Sequence, residues 1–188
     1  MSLLGNHGRT LAAFDRTVRL VRADQWDNPT PCTESTVRDV VNHIVSEQLW
    51  VPHLLGGATL AEVGDRYAGD VLGRDPVRAW SEALTNARRA WTEEGATERT
   101  VHLSFGESDA SLYGWQMTTD LAVHAWDVAV GIGIPQPIED DVAEELIPIA
   151  RPMIEAAQGT GILAPPVEIP DTASAADRII ALCGRSPR

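Results

Sequence analysis

Cysteine is scarce in this chain of 188 residues: Cys32 and Cys183 are the only two, far apart and without a CxxC pair. That excludes a disulfide framework, although one bridge remains arithmetically open. Cationic residues are outnumbered fifteen to twenty-seven by acidic ones, for a formal charge of −12. Such a balance argues against a nucleic-acid partner, because phosphate backbones are bound by clustered positive charge. No apolar run approaches the roughly 20 residues of a membrane span. The opening MSLLGNHGRT also lacks the charged and apolar regions of a secretion signal. These absences point to a soluble, cytoplasmic protein that is not membrane-bound. No GxSxG elbow is present, and the GIG at 131–133 follows a helical pattern rather than a strand. It reads as a helix stop, not a nucleotide loop.

Against these absences, 44% of the residues are apolar, enough for a real core. Leu11, Phe14, Val18 and Val21 recur at helical spacing and predict a first helix over about 7–24. The loop DNPTPCTES follows, and Thr36 with Asp39 resembles a capping box opening a second helix that runs to Gly56-Gly57. Residues 56–74 hold five glycines and read as a long loop with at most one helical turn. Asp75-Pro76 then caps a third helix through Trp80, Leu84, Ala87 and Trp91. TVHLSF at 100–105 alternates as a short strand, and a fourth helix spans about 111–131. A fifth helix near 139–158 contains Pro148 and Pro152 and is expected to kink or break. APPVEIP is an extended connector, and 172–183 closes the chain as a short helix. The fold class is therefore all-α: a four-helix bundle over 1–135, with a short strand or hairpin before its last helix, and a helical C-terminal extension over 136–188.

Five histidines are candidates for chemistry. His7 lies near the terminus, His53 follows a proline and His102 sits on the strand, whereas His43 and His124 occupy the middle of apolar helices. His43 has Asp39 one turn before it and Glu47 one turn after it. In TTDLAVHAWDVAVG, Asp120, His124 and Asp127 form a second polar stripe. Helical spacing puts each stripe on one face, so two helices of a bundle can present imidazole and carboxylate to one metal. Such nitrogen and oxygen donors suit zinc, nickel, iron or manganese better than calcium. Spacing alone leaves open a hydrogen-bonded core histidine or an ordinary surface pair. Trp80 and Trp91 read as packing between helices, and Trp50 and Trp126 as walls for a pocket.

TPCTESTVRDVVNHIVSEQLWVPHLLGG, WQMTTDLAVHAWDVAVGIG and DRIIALCGR resemble proteins of the DinB-like superfamily. Within it they are similar to the actinobacterial mycothiol-dependent maleylpyruvate isomerase N-terminal domain group. The resemblance implies a four-helix bundle holding a divalent metal, commonly Zn2+, with three protein ligands. It places those ligands on His43, Asp120 and His124. It implies mycothiol as co-substrate, a low-molecular-weight thiol whose sulfur is favoured as thiolate by the metal, and a small electrophilic organic substrate. Asp stands where the isomerase has Glu, and the C-terminal region is short for the isomerase's additional domain. Glu47 and Asp127 are left as candidates for orienting the ligand imidazoles, with Asp127 equally readable as a charge near a helix end.

Two function classes follow. One is a metal- and thiol-dependent transferase or isomerase; the other is a non-enzymatic bundle that binds a metal or small ligand. Three ligands favour the first, since purely structural zinc sites have four protein ligands as a rule. Both cysteines are expected to be free and non-ligating, the mouth of the site is expected beside residues 56–74, and a homodimer is left open.

Overall fold

The computed structural model describes residues 2–157, 159 and 164–187. Helix α1 spans Leu3–Arg19, starting and stopping earlier than periodicity suggests, because Ser2 caps it through the Gly5 N–H and Leu20 closes it onto the Thr17 carbonyl. Val21 lies beyond that end yet still packs on the core. Helix α2 spans Val37–Leu55 and opens on the predicted capping box, with Thr36 Oγ1 accepting from the Asp39 N–H and Asp39 Oδ2 accepting from the Thr36 N–H. A single turn, α3 (Leu60–Val63), interrupts the glycine-rich segment. Helix α4 (Pro76–Trp91) begins with Pro76 in its first turn and Asp75 accepting from the Arg78 N–H.

Strands β1 (Thr100–Leu103) and β2 (Gly106–Asp109) form one antiparallel hairpin that leads directly into α5 (Ala110–Ile132). Helices α6 (Asp140–Ala157) and α7 (Ala175–Leu182) follow. Residue 158, assigned to the fifth helix by sequence, lies outside the described residues. No helix among the described residues is long and apolar enough to cross a membrane.

The bundle consists of α1, α2, α4 and α5, with α1 and α2 each packed between α4 and α5. Phe14, Val41, Ile44, Trp80, Leu121 and Val128 lie at its centre. Trp80 and Trp91 are buried between helices as expected. Helix α5 is unusual in being covered on two sides. Leu121, Ala125, Val128 and Ile132 face the bundle core, while Ala122, Val123 and Trp126 face a second core built with α6 and α7. Trp126 therefore anchors the extension instead of walling a pocket.

Helix α6 continues through Pro148 and Pro152, so the expected alternative of a broken helix is not realised. The two prolines sit four residues apart on the exposed face, where water can serve the carbonyls they leave unpaired. The opposite face, with Leu146, Ala150 and Ile154, is buried and holds the helix in place.

Residues 64–74 are strapped along the outer face of α2. Arg38 pairs with Asp70, Asn42 exchanges hydrogen bonds with the Gly69 carbonyl and the Val71 N–H, and Ser46 donates to the Tyr67 carbonyl. His53 joins the Tyr67 hydroxyl at 2.7 Å. Gly133, in left-handed conformation with φ 74°, terminates α5. Gly131 has a different role: a Cβ there would lie 2.7 Å from Val37 Cγ2, so its bareness lets α5 approach the start of α2.

Candidate metal centre

The polar stripe of α5 emerges in the gap between its two apolar faces, opposite His43 on α2. His43 Nε2 lies 3.2 Å from Asp120 Oδ2, and His124 Nε2 lies 3.3 Å from Asp120 Oδ1. The two imidazole rings stand 5.1 Å apart between centroids and nearly edge to face. One potential ligand atom from each of His43, Asp120 and His124 falls within 4.8 Å of the others. Metal bonds of 2.0–2.1 Å in tetrahedral array separate neighbouring donors by about 3.3 Å, so the two histidine–carboxylate spacings suit a zinc-sized ion.

Behind His124 stands a layer of support. Its Nδ1 is 2.9 Å from Asp127 Oδ2, and Asp127 is fully buried. Arg185, from the C-terminal tail, donates to both Asp127 oxygens, Nε to Oδ1 at 3.3 Å and Nη2 to Oδ2 at 2.9 Å. Asp127 is thus no solvent-facing charge near a helix end. A carboxylate held by a guanidinium only accepts, so His124 Nδ1 carries the proton. The lone pair of neutral His124 would then sit on Nε2, pointed at another acceptor, Asp120. Such an arrangement requires a positive centre between them, either a proton or a metal ion.

The electrostatics express the same demand. Burial works to lower the His124 pKa, but Asp120 and Asp127 together overcome it and lift the imidazole to about 10. Burial likewise opposes ionisation of Asp120, yet the two histidines hold its carboxyl well below the usual carboxylate range. His43 is raised as well, with Asp120 outweighing its desolvation. Glu47 is pushed up by burial first and by Asp120 second.

His43, Glu47, Asp120 and His124 line one cleft of about 980 Å³ between α2, α5, the hairpin and the extension. Trp50 lines it, as the sequence suggested. The segment 56–74 contributes only Leu60, whereas the hairpin contributes Leu103, Ser104 and Phe105. Both cysteines are free and both border the cleft. Cys183 is buried, which pushes its thiol up to about 12. Cys32 brings its sulfur within 4.8 Å of ligand atoms on His124 and Asp127, a proximity invisible in sequence. Asp127 is committed to Arg185 and His124, however, so that second grouping lacks a free carboxylate. Arg185 completes the candidate site without a signal in the sequence: it lies within DRIIALCGR, which carries no spacing towards Asp127.

The architecture and the cleft define a helical bundle of the DinB-like type with a clustered His–Asp–His site. The chain belongs to the mycothiol maleylpyruvate isomerase N-terminal domain family, whose model matches residues 8–129. Two uncharacterised proteins of Mycobacterium tuberculosis, one from strain CDC 1551 / Oshkosh and one from strain ATCC 25618 / H37Rv, are each 30% identical over 190 residues, covering 100% of both chains. A crystal structure of a mutant mycothiol-dependent maleylpyruvate isomerase superposes with a TM-score of 0.72, covering 98% of this chain and 88% of that one at 14% identity. At that identity the likeness establishes the fold.

Proposed function

We propose that the chain holds one divalent metal ion, zinc by the chemistry of its donors, through His43, Asp120 and His124, and acts as a thiol-dependent transferase or isomerase. The observation that carries the reading is the orientation of His124: Nδ1 is committed to Asp127, and Nε2 faces Asp120 at 3.3 Å. Two nitrogens and one carboxylate oxygen form a three-donor set, which leaves room for an exogenous ligand. An ion there supplies positive charge that favours the thiolate of a low-molecular-weight thiol, mycothiol by family membership.

The chain's own residues orient and enclose. Asp127 and Arg185 fix the ring and tautomer of His124. Residues 1–135 supply the three ligands, and 136–188 supply the arginine that steadies one of them. Elemental analysis of the purified protein and of His43→Ala and His124→Ala variants tests the proposal, followed by thiol-transfer assays with mycothiol. One equivalent of metal in the wild type, lost in both variants, is the expected result. Folded wild type that takes up no zinc, nickel, iron or manganese after controlled loading would overturn it.

A further inference from the structure

The cleft has two unlike ends. Helices α2 and α5 run antiparallel past the His–Asp–His cluster, so residues after His43 lie beside residues before Asp120. At that end the walls are Trp50 and Leu54 from α2, Tyr113 and Met117 from α5, and Leu103 and Phe105 from the hairpin. Phe105 is 67% exposed although it borders the cleft. An aromatic ring held at the rim with so little cover is placed to close over an apolar guest. The opposite end holds the more polar lining residues Cys32, Ser35, Asp39 and Arg185, beside Val40 and Cys183.

Charge separates the ends further. Three acidic residues border the cleft: Asp39, Glu47 and Asp120. Apart from the imidazoles, Arg185 is the one cationic side chain among the described lining residues, and it lies at the polar end. Its Nε and Nη2 are engaged by Asp127, and its Nη1 donates to the Cys183 carbonyl at 2.9 Å. Among the described lining residues, no arginine or lysine stands at the apolar end to receive a carboxylate.

We infer that the second substrate of this chain carries an apolar aromatic or aliphatic body seated between Trp50, Met117 and the hairpin, with no carboxylate at that end of the cleft. This rests on the proposed thiol- and metal-dependent reading for what the guest is used for, but its seat depends only on the walls. The polar end, with Cys32 and Ser35, remains for the more hydrophilic thiol.

Equilibrium titration with the neutral fluorophore N-phenyl-1-naphthylamine tests the inference, with maleate as the competing dicarboxylate, on both chelator-treated and zinc-loaded full-length protein. Saturable one-to-one binding of the fluorophore, undisturbed by maleate, is expected in both forms. Phe105→Ala, at an exposed position that leaves the fold untouched, should weaken binding by about tenfold, and Leu103→Asp by more, because each removes apolar contact at the seat. Displacement of the fluorophore by maleate, or equal affinity in wild type and both variants, overturns the inference. So does loss of the seat through self-association as protein concentration rises. Zinc loading reports separately on the metal reading: a chain that takes no zinc yet binds the fluorophore keeps the apolar seat and loses the proposed chemistry.

Discussion

His124 donates its Nδ1–H to Asp127 Oδ2 across 2.9 Å, within a single turn of α5. Because Asp127 is fully buried and doubly bound by Arg185, the bond ties the C-terminal tail to the most enclosed of the three candidate ligands. Asp127→Asn keeps the volume but removes the charge that Arg185 and His124 both use. Metal affinity is expected to fall by about 10- to 100-fold, as for other lost partners of ligating imidazoles. Stability should fall too, by on the order of 3 kcal/mol, since Arg185 keeps its charge in a largely buried place. Metal titration and denaturant unfolding measure the two effects separately. Unchanged metal affinity would reduce Asp127 to a purely structural partner.

Asp120 is the residue by which a ligand is told from a packing partner. Asp120→Asn preserves shape and one hydrogen-bond acceptor but withdraws an anionic oxygen from between two imidazoles. Metal content after chelation and reloading at limiting metal should drop sharply, while Asp120→Glu, longer by one methylene, should retain it. Equal metal content in wild type and Asp120→Asn would count against coordination by this residue.

Much of this was legible in the chain because local chemistry set it. Thr36 with Asp39 and Asp75 with Pro76 mark helix starts through hydrogen bonds spanning three residues, and the structure realises both. Helical spacing puts His43, Asp120 and His124 in polar stripes shared with Asp39, Glu47 and Asp127, and the family resemblance singles out the three. What escaped was decided at long range. Arg185 reaches Asp127 across 58 residues, and no periodicity encodes that meeting. Pro148 and Pro152 leave α6 unbroken for a related reason: their cost depends on whether their face of the helix is wet, which the packing of Leu146 and Ile154 on the other face decides. The glycine-rich segment reads as loose in sequence, yet Arg38, Asn42 and Ser46 fasten it to α2.

Gly131 offers a test of how tightly α5 must approach α2. An alanine gains roughly 1 kcal/mol of helix propensity over glycine. Here its Cβ would press on Val37, a fully buried β-branched side chain, at 2.7 Å, with Thr30 Cγ2 at 3.2 Å and the Pro29 carbonyl oxygen at 3.3 Å. None of these is the loose end of a long side chain, so the overpacking cost of about 1–3 kcal/mol should prevail. Gly131→Ala is expected to lower stability by about 1 kcal/mol or more in denaturant unfolding. A stabilised variant would mean that the loop before α2 yields easily.

His7, unremarked in sequence beyond its place near the terminus, is buried in the bundle, its ring edge-on to Trp91 at 5.5 Å. Thr118 donates its hydroxyl to the Gly114 carbonyl, so His7 Nδ1 is the donor to Thr118 Oγ1 at 3.0 Å. Its Nε2 is buried without a partner, and burial pushes the imidazole down to about 4. The folded protein therefore keeps His7 neutral where the unfolded chain, with an ordinary value of 6.5, takes up a proton. Stability from this group is intact above pH 6.5 and is lost as pH falls from 6.5 to about 4, by at most on the order of 3 kcal/mol. His7→Phe abolishes that titration and forfeits the Thr118 bond at every pH. Unfolding free energies of wild type and variant, measured at intervals between pH 7.5 and 4, should converge as the pH drops, because only the wild type pays for excluding the proton. Parallel curves across that window would show that the His7 pocket admits a charged ring, through water or through rearrangement of the helix ends around it.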